Sequence, residues 1–135
     1  MGARKRLRAQ ELKKESMSKA FASLRECPTS PRKMRLVVDI IRGKEVNKAL
    51  DILRFTQKEA AKRVEKLLMS AISNWQNKNS NARIEEAGLF VKEAYVDSAQ
   101  QMKRIRPAAK GMGHRIRKRS NHVTITLGSL NTNEN

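Results

Sequence analysis

One cysteine, Cys27, is all the thiol this chain carries. A lone cysteine closes no intrachain disulfide and builds no thiolate metal centre, and it suits a reducing compartment. No apolar run approaches the ~20 residues that a membrane-crossing helix requires, and the N-terminus has no apolar core of a secretory signal. Met1 and Gly2 are followed by Arg6, where an N-myristoylation motif needs Ser or Thr. No glycine-rich phosphate loop stands between a strand and a helix. Glu85–Glu86 and Glu93/Asp97 read as solvated faces or ion-pair partners rather than as an acid–base pair. The two histidines, His114 and His122, lie in basic sequence and read as phosphate or backbone contacts, not as metal ligands or general bases. The chain is therefore read as a non-enzymatic, cytoplasmic protein with no cofactor, no metal and no membrane.

Acid is the other scarcity. Thirty Lys and Arg face thirteen Asp and Glu, a net charge of +17. The imbalance sits at the ends: residues 1–25 have eight basic and two acidic side chains, residues 98–135 eight and one, and the middle is an ordinary mixture. Such charge repels itself in a compact monomer and makes sense beside a polyanion, nucleic acid first and an anionic membrane surface a distant second. The five aromatic residues avoid residues 98–135 altogether. Single-strand binders stack bases on exposed rings, so recognition by this basic region is expected to run through phosphates and shape.

The remaining pattern is that of one small domain. Residues 1–19 form a basic N-terminal extension with too little apolar material to order alone, a segment that RNA would order. Ala20–Arg25 is a strand candidate. Ser30 as N-cap and Pro31 at the first helical position open a helix with Met34, Val37, Val38 and Ile41 on one face, stopped by Gly43. Val46, Ala49, Leu50 and Leu53 mark a second helix. Thr56 and Glu59 read as a capping box for a third, whose apolar face runs Ala60, Val64, Leu67, Leu68, Ala71, Ile72, Trp75. Residues 89–96 and 122–127 read as strands, the latter alternating Val123, Ile125 and Leu127 against His122, Thr124 and Thr126. The expected class is α+β: three helices packed on a small antiparallel sheet, with a long β-hairpin extension, over residues 20–128. Residues 129–135 read as a polar disordered tail.

The stretch KRIRPAAKGMGHRIRKR (103–119) holds eight cations and no acid. Two strands bracket it, so it reads as a hairpin rather than a tail. A tip near Lys110–Gly111 pairs Ile105 with Ile116, Arg104 with Arg117 and Arg106 with Arg115, placing isoleucines on one face and arginines on the other. Like charges directly opposite destabilise such an arm until phosphate neutralises them. From Tyr95 to Lys110 the arm would project roughly 50 Å at ~3.3 Å per residue, long enough to enter a large folded RNA. The expected RNA contacts are Lys103, Arg104, Arg106, Lys110, Arg115, Arg117, Lys118, Arg119 and His122 on the arm and its root, and Arg32, Lys33 and Arg35 near the start of the first helix. An architectural DNA-binding protein with a β-arm is the rival. It would want an apolar wedge at the tip and a second copy, whereas Met112 is the tip's only large apolar residue.

These pieces together resemble a known family, the universal ribosomal protein numbered twenty-two of the large subunit. The likeness is carried, in order, by SPRKMRLVVDIIRGK (30–44), ALDILRFTQKEAAK (49–62), SAISN (70–74), VKEAYVD (91–97), MKRIRPAAKG (102–111) and RIRKRSNHVTI (115–125). The resemblance implies a compact α+β domain near the mouth of the peptide exit tunnel. It also implies a hairpin, about residues 95–118, running inward through ribosomal RNA. The tip would be Arg106, Pro107, Ala108, Ala109, Lys110, Gly111, Met112, Gly113 and His114, lining the tunnel. The implied partners are large-subunit RNA, neighbouring ribosomal proteins and the nascent peptide, with no homo-oligomer. Ala108 and Met112 stand where relatives are often basic.

Overall fold

A computed structural model describes residues 2–80 and 87–130. Its elements run α1 (Gly2–Ser18), β1 (Ala20–Cys27), α2 (Pro31–Ile41), α3 (Val46–Phe55), α4 (Glu59–Lys78), β2 (Leu89–Ser98), β3 (Met102–Pro107), β4 (Gly113–Lys118) and β5 (Asn121–Ser129). The class is the expected α+β, with a fourth helix at the N-terminus. The expectations at Glu85–Glu86 and for the tail beyond Leu130 lie outside the described residues.

Strand periodicity decides the sheet. β5 lies in the middle, antiparallel to β1 on one side and β2 on the other. Its buried residues Val123, Ile125 and Leu127 point to the helices, as do Ala20 and Ala22 of β1 and Val91, Ala94 and Val96 of β2. On that face lie the apolar stripes of α2 (Met34, Val37, Val38, Ile41), α3 (Val46, Ala49, Leu53) and α4 (Val64, Leu68, Ala71, Trp75), all buried. The opposite face of the sheet is open, with the last turn of α1 at its border through Ser16.

The cap of α4 differs from expectation. Its N-cap is Lys58, and the Thr56 hydroxyl instead donates to the Ile52 carbonyl at 2.6 Å, closing α3. Thr56 ends one helix rather than opening the next. Glu59, freed from the box, meets Arg63 at 2.8 Å across one turn. The hydrogen bond and charge of that guanidinium hold the Glu59 carboxyl below its ordinary value.

Edge strands present unpaired backbone groups and need covering. The outer edge of β2 is closed from the α2 side. Gly43 N–H donates to Val91 O and Val91 N–H to Lys44 O, both at 2.9 Å. Beyond them the Arg42 guanidinium donates twice to Ala94 O (3.0 and 2.7 Å), and Arg35 twice to Val96 O (3.3 and 3.1 Å). One α2 side thus staples the helix layer to the sheet. Asn121, fully buried where β5 begins, donates to Thr29 O and Oγ1 at 2.7 Å and ties β5 to the turn before α2.

α1 packs nothing: its described side chains are exposed, Leu7, Leu12 and Met17 included. Its link to the body is the Lys78 ammonium, which donates to Met17 O (2.7 Å) and Lys19 O (2.6 Å). A cation there suits the negative end of the helix.

Arg42→Ala is expected to cost about 1–2 kcal/mol, the worth of a charged hydrogen bond set, while exposed Lys48→Ala stays within about 0.5 kcal/mol. Urea unfolding midpoints at unchanged m-value check both.

Candidate nucleic-acid interface

Beyond Ser98 the chain leaves the sheet. Ala99 N–H donates to Ser120 O at 3.0 Å and the Ser120 hydroxyl to Gln100 O, and past that joint β3 and β4 form a separate two-stranded ladder. Residues 95–98, expected in the arm, pair instead with β5 through Tyr95–Thr124, Val96–Val123, Asp97–His122 and Ser98–Asn121. The free arm therefore spans 99–120. From Ala99 to the tip it reaches roughly 35–40 Å at ~3.3 Å per residue, shorter than the expected 50 Å.

The register is one residue away from expectation. Ile105 faces Arg115, Arg104 faces Ile116, Lys103 faces Arg117 and Arg106 faces His114. The cause is the tip. Ala108 N–H donates to Met112 O at 2.7 Å around a three-residue turn, with Lys110 at φ 60° and Gly111 at φ 71°. A turn centred on Lys110, rather than between Lys110 and Gly111, slips every pair by one, and a one-residue slip exchanges faces. Gly113 fits this register closely, since a β-carbon there would sit 3.1 Å from Ile105 Cγ2.

The slip changes what the arm displays. Alternation puts Lys103, Ile105, Arg115 and Arg117 on one face and Arg104, Arg106, Ile116 and Lys118 on the other. Each face thus carries three Lys or Arg, where the sequence expectation put the isoleucines together and the arginines opposite. Only Lys103 and Arg117 are like charges directly across. Every arm residue from Gln101 to Arg119 except Ala108 and Ile116 is exposed, with Ile105 at 74%. The ion pairs among the described residues, Arg42–Asp39, Lys48–Glu45, Arg54–Glu65 and Arg63–Glu59, all lie in the body. The arm's charge is unneutralised.

At the arm's root a cleft of about 620 Å³ opens between Pro28, Ser30 and the side chains of Arg104, Arg117, Lys118 and Arg119. Ser30, the N-cap of α2, spends no side-chain hydrogen bond on the cap, and the first turn of α2 contains no acid. The positive end of α2 therefore faces the same opening as the basic root. Arg32 and Lys33 are exposed on the first turn of α2 but do not line this opening, and Lys33 borders a separate cleft with Thr29, Lys58 and Glu59. Arg35, expected with them, turns its guanidinium to Val96 O. His122 is set back in the sheet, its Nδ1 accepting from Glu26 N–H at 2.9 Å. Glu26 itself sits at φ 54°, at the bulge where the β1–β5 register shifts.

No grouping of three His, Cys, Asp or Glu fit to hold a metal occurs among the described residues, and no described helix is long and apolar enough to cross a membrane. What the arrangement can do is bind a polyanion that surrounds the arm.

Comparison with known proteins agrees. The profile of the family described as ribosomal protein L22p/L17e matches residues 6–128. The chain is 60% identical over 134 residues to a Flavobacterium johnsoniae protein named large ribosomal subunit protein uL22, covering 99% of this chain and 98% of that one. Proteins of the same name from Christiangramia forsetii (59%) and Bacteroides fragilis (56%) match over 134 residues, 99% of this chain and 99% and 98% of theirs.

Because the arm's cations repel one another, salt should order it in the free protein. As ionic strength rises from about 10 mM to about 0.1 M the Debye length shrinks from about 30 to about 10 Å. The cross-strand nuclear Overhauser contacts Ile105–Arg115 and Arg104–Ile116 are expected to strengthen over that range, and contacts of the Ile105–Ile116 register to stay absent.

Proposed function

We propose a function from one premise: this chain belongs to the ribosomal protein L22p/L17e family. It is a structural constituent of the large ribosomal subunit, located with the ribosome in the bacterial cytoplasm. It binds the subunit's RNA and neighbours other proteins of that subunit. Its role is architectural rather than enzymatic.

The finer assignment rests on one observation: the projecting arm carries cations on both faces. An element that lies on a surface needs charge on one side only, whereas one enclosed by RNA meets phosphate on both. Lys103, Arg115 and Arg117 grip phosphate on one side, and Arg104, Arg106 and Lys118 on the other. Arg119 holds a phosphate in the root cleft, and Arg32 and Lys33 at the start of α2 bind RNA at the domain surface. The tip from Arg106 to His114 has Lys110 as its only cation between Pro107 and Gly113, and its small side chains suit a narrow passage. There it lines the exit tunnel and meets the nascent peptide. Two-sided charge also disfavours the β-arm of a DNA architectural protein, which packs one face into a minor groove.

Phosphate neutralisation makes binding to large-subunit RNA fall linearly in log K against log salt. Arg104→Ala, Arg115→Ala and Arg117→Ala are each expected to shallow that slope by about one, measured by filter binding across a salt series. A slope near zero, or one unmoved by the triple variant, would refute the assignment.

A further inference from the structure

The open face of the sheet is built unlike the arm. Phe21, Thr126 and Glu93 form one cross-strand row, and Ser23, Thr124 and Tyr95 the next. The two aromatic rings stand on the outer strands at diagonal corners, 48% and 46% exposed. At ~4.8 Å between strands and ~3.4 Å per residue along them, the two Cα atoms lie about 12 Å apart, too far for one ring to stack on the other. Between them the floor is hydroxyl, Thr124 Oγ1 lying 3.5 Å from Ser23 Oγ. Lys19 and Arg25 border the β1 side of this cleft of about 350 Å³, and Glu93 its far side.

Two half-exposed aromatics on a bare sheet leave apolar surface in water that a folded chain ordinarily covers. Burying them needs a planar, apolar face. The hydroxyl floor and Glu93 need donors and acceptors around that plane, and Lys19 and Arg25 need an anion beside it. Unpaired ribonucleotides supply all three: a base to stack on a ring, edge groups to meet the hydroxyls and the carboxylate, and phosphate for the two cations. Sheet faces with exposed aromatics read RNA in this way. The face also continues from Ser16 and Lys19 at the end of α1, the other strongly basic element. We propose that the open face of β1–β5–β2 is a second RNA site that binds a single-stranded dinucleotide, one base on Phe21 and one on Tyr95. The proposal rests on the RNA-binding reading above but differs in chemistry, since its selectivity comes from stacking, whereas the arm's comes from charge.

The test compares an adenylate octamer carrying one 2-aminopurine with an RNA duplex of equal charge, at fixed salt, for the full chain. Wild type is expected to bind both and to quench the 2-aminopurine. Tyr95→Ala and Phe21→Ala should each weaken the octamer about tenfold, relieve the quenching, and leave duplex affinity and the salt slope unchanged. Tyr95→Phe should bind as wild type. Unchanged unfolding midpoints would show that the variants are folded. Octamer affinity and quenching unmoved by either alanine, or equal losses for octamer and duplex, would overturn the site and leave the face to a protein neighbour. A wild type that bound neither RNA would instead overturn the RNA-binding reading, and this site with it.

Discussion

Eight cations on an arm with no carboxylate among them repel one another, and the rest of the molecule is arranged around that repulsion. A two-stranded ribbon is marginal in water even when its side chains attract. Here Lys103 faces Arg117 directly, and the arm's apolar residues Met102, Ile105 and Met112 are more than half exposed. Among the described residues β3 and β4 pack chiefly on each other, so the arm's stability depends on whatever neutralises it. Distributing three cations to each face spreads the repulsion and at the same time lets phosphate approach from both sides.

The body supplies what the arm lacks. β5, the central strand, follows directly from β4, so the arm is rooted in the strand with neighbours on both sides. Asn121 fixes the start of β5 to Thr29, and Ser120 clasps Gln100 across the joint. Arg35 and Arg42 fasten the other rooted strand, β2, to α2. An arm leaving from a loosely held edge strand would swing; one leaving between a stapled strand and a central one keeps its direction. The start of α2 then brings its positive end to the same root, so that scaffold and binding surface meet at one place.

Elements with a periodic apolar face were legible in sequence. The stripes of α2, α3 and α4 and the alternation of β5 name most of what the structure buries, Trp75 among them; Leu50 and Ile72 are only partly buried, and Ala61 is buried without belonging to the expected stripe. What escaped were choices between local partners of nearly equal worth. Thr56 had a carbonyl four residues behind it as well as a helix ahead, and it took the carbonyl. Arg35 looked like its neighbours Arg32 and Lys33, but it lies seven residues before Arg42, two turns along the same side of α2, and that side meets the edge of β2. The hairpin register turned on whether Lys110 would accept a left-handed conformation, which nothing in its composition announces. α1 has no apolar stripe to predict it, and its helix runs without packing. Phe21 and Tyr95 were legible as strand residues, but the face they occupy is set by pairing across β5, which no local pattern reveals.

If repulsion governs the arm, the body orders itself and RNA orders the arm. Amide hydrogen exchange, read for free protein and for protein within assembled large subunits, addresses it directly. In the free protein, amides of Val123–Leu127 in β5 should be strongly protected and those of β3 and β4 should exchange at rates near an open chain. Within the subunit, the arm should become as protected as β5. An arm as protected as β5 in the free protein would contradict the claim, because its order would then owe nothing to the polyanion.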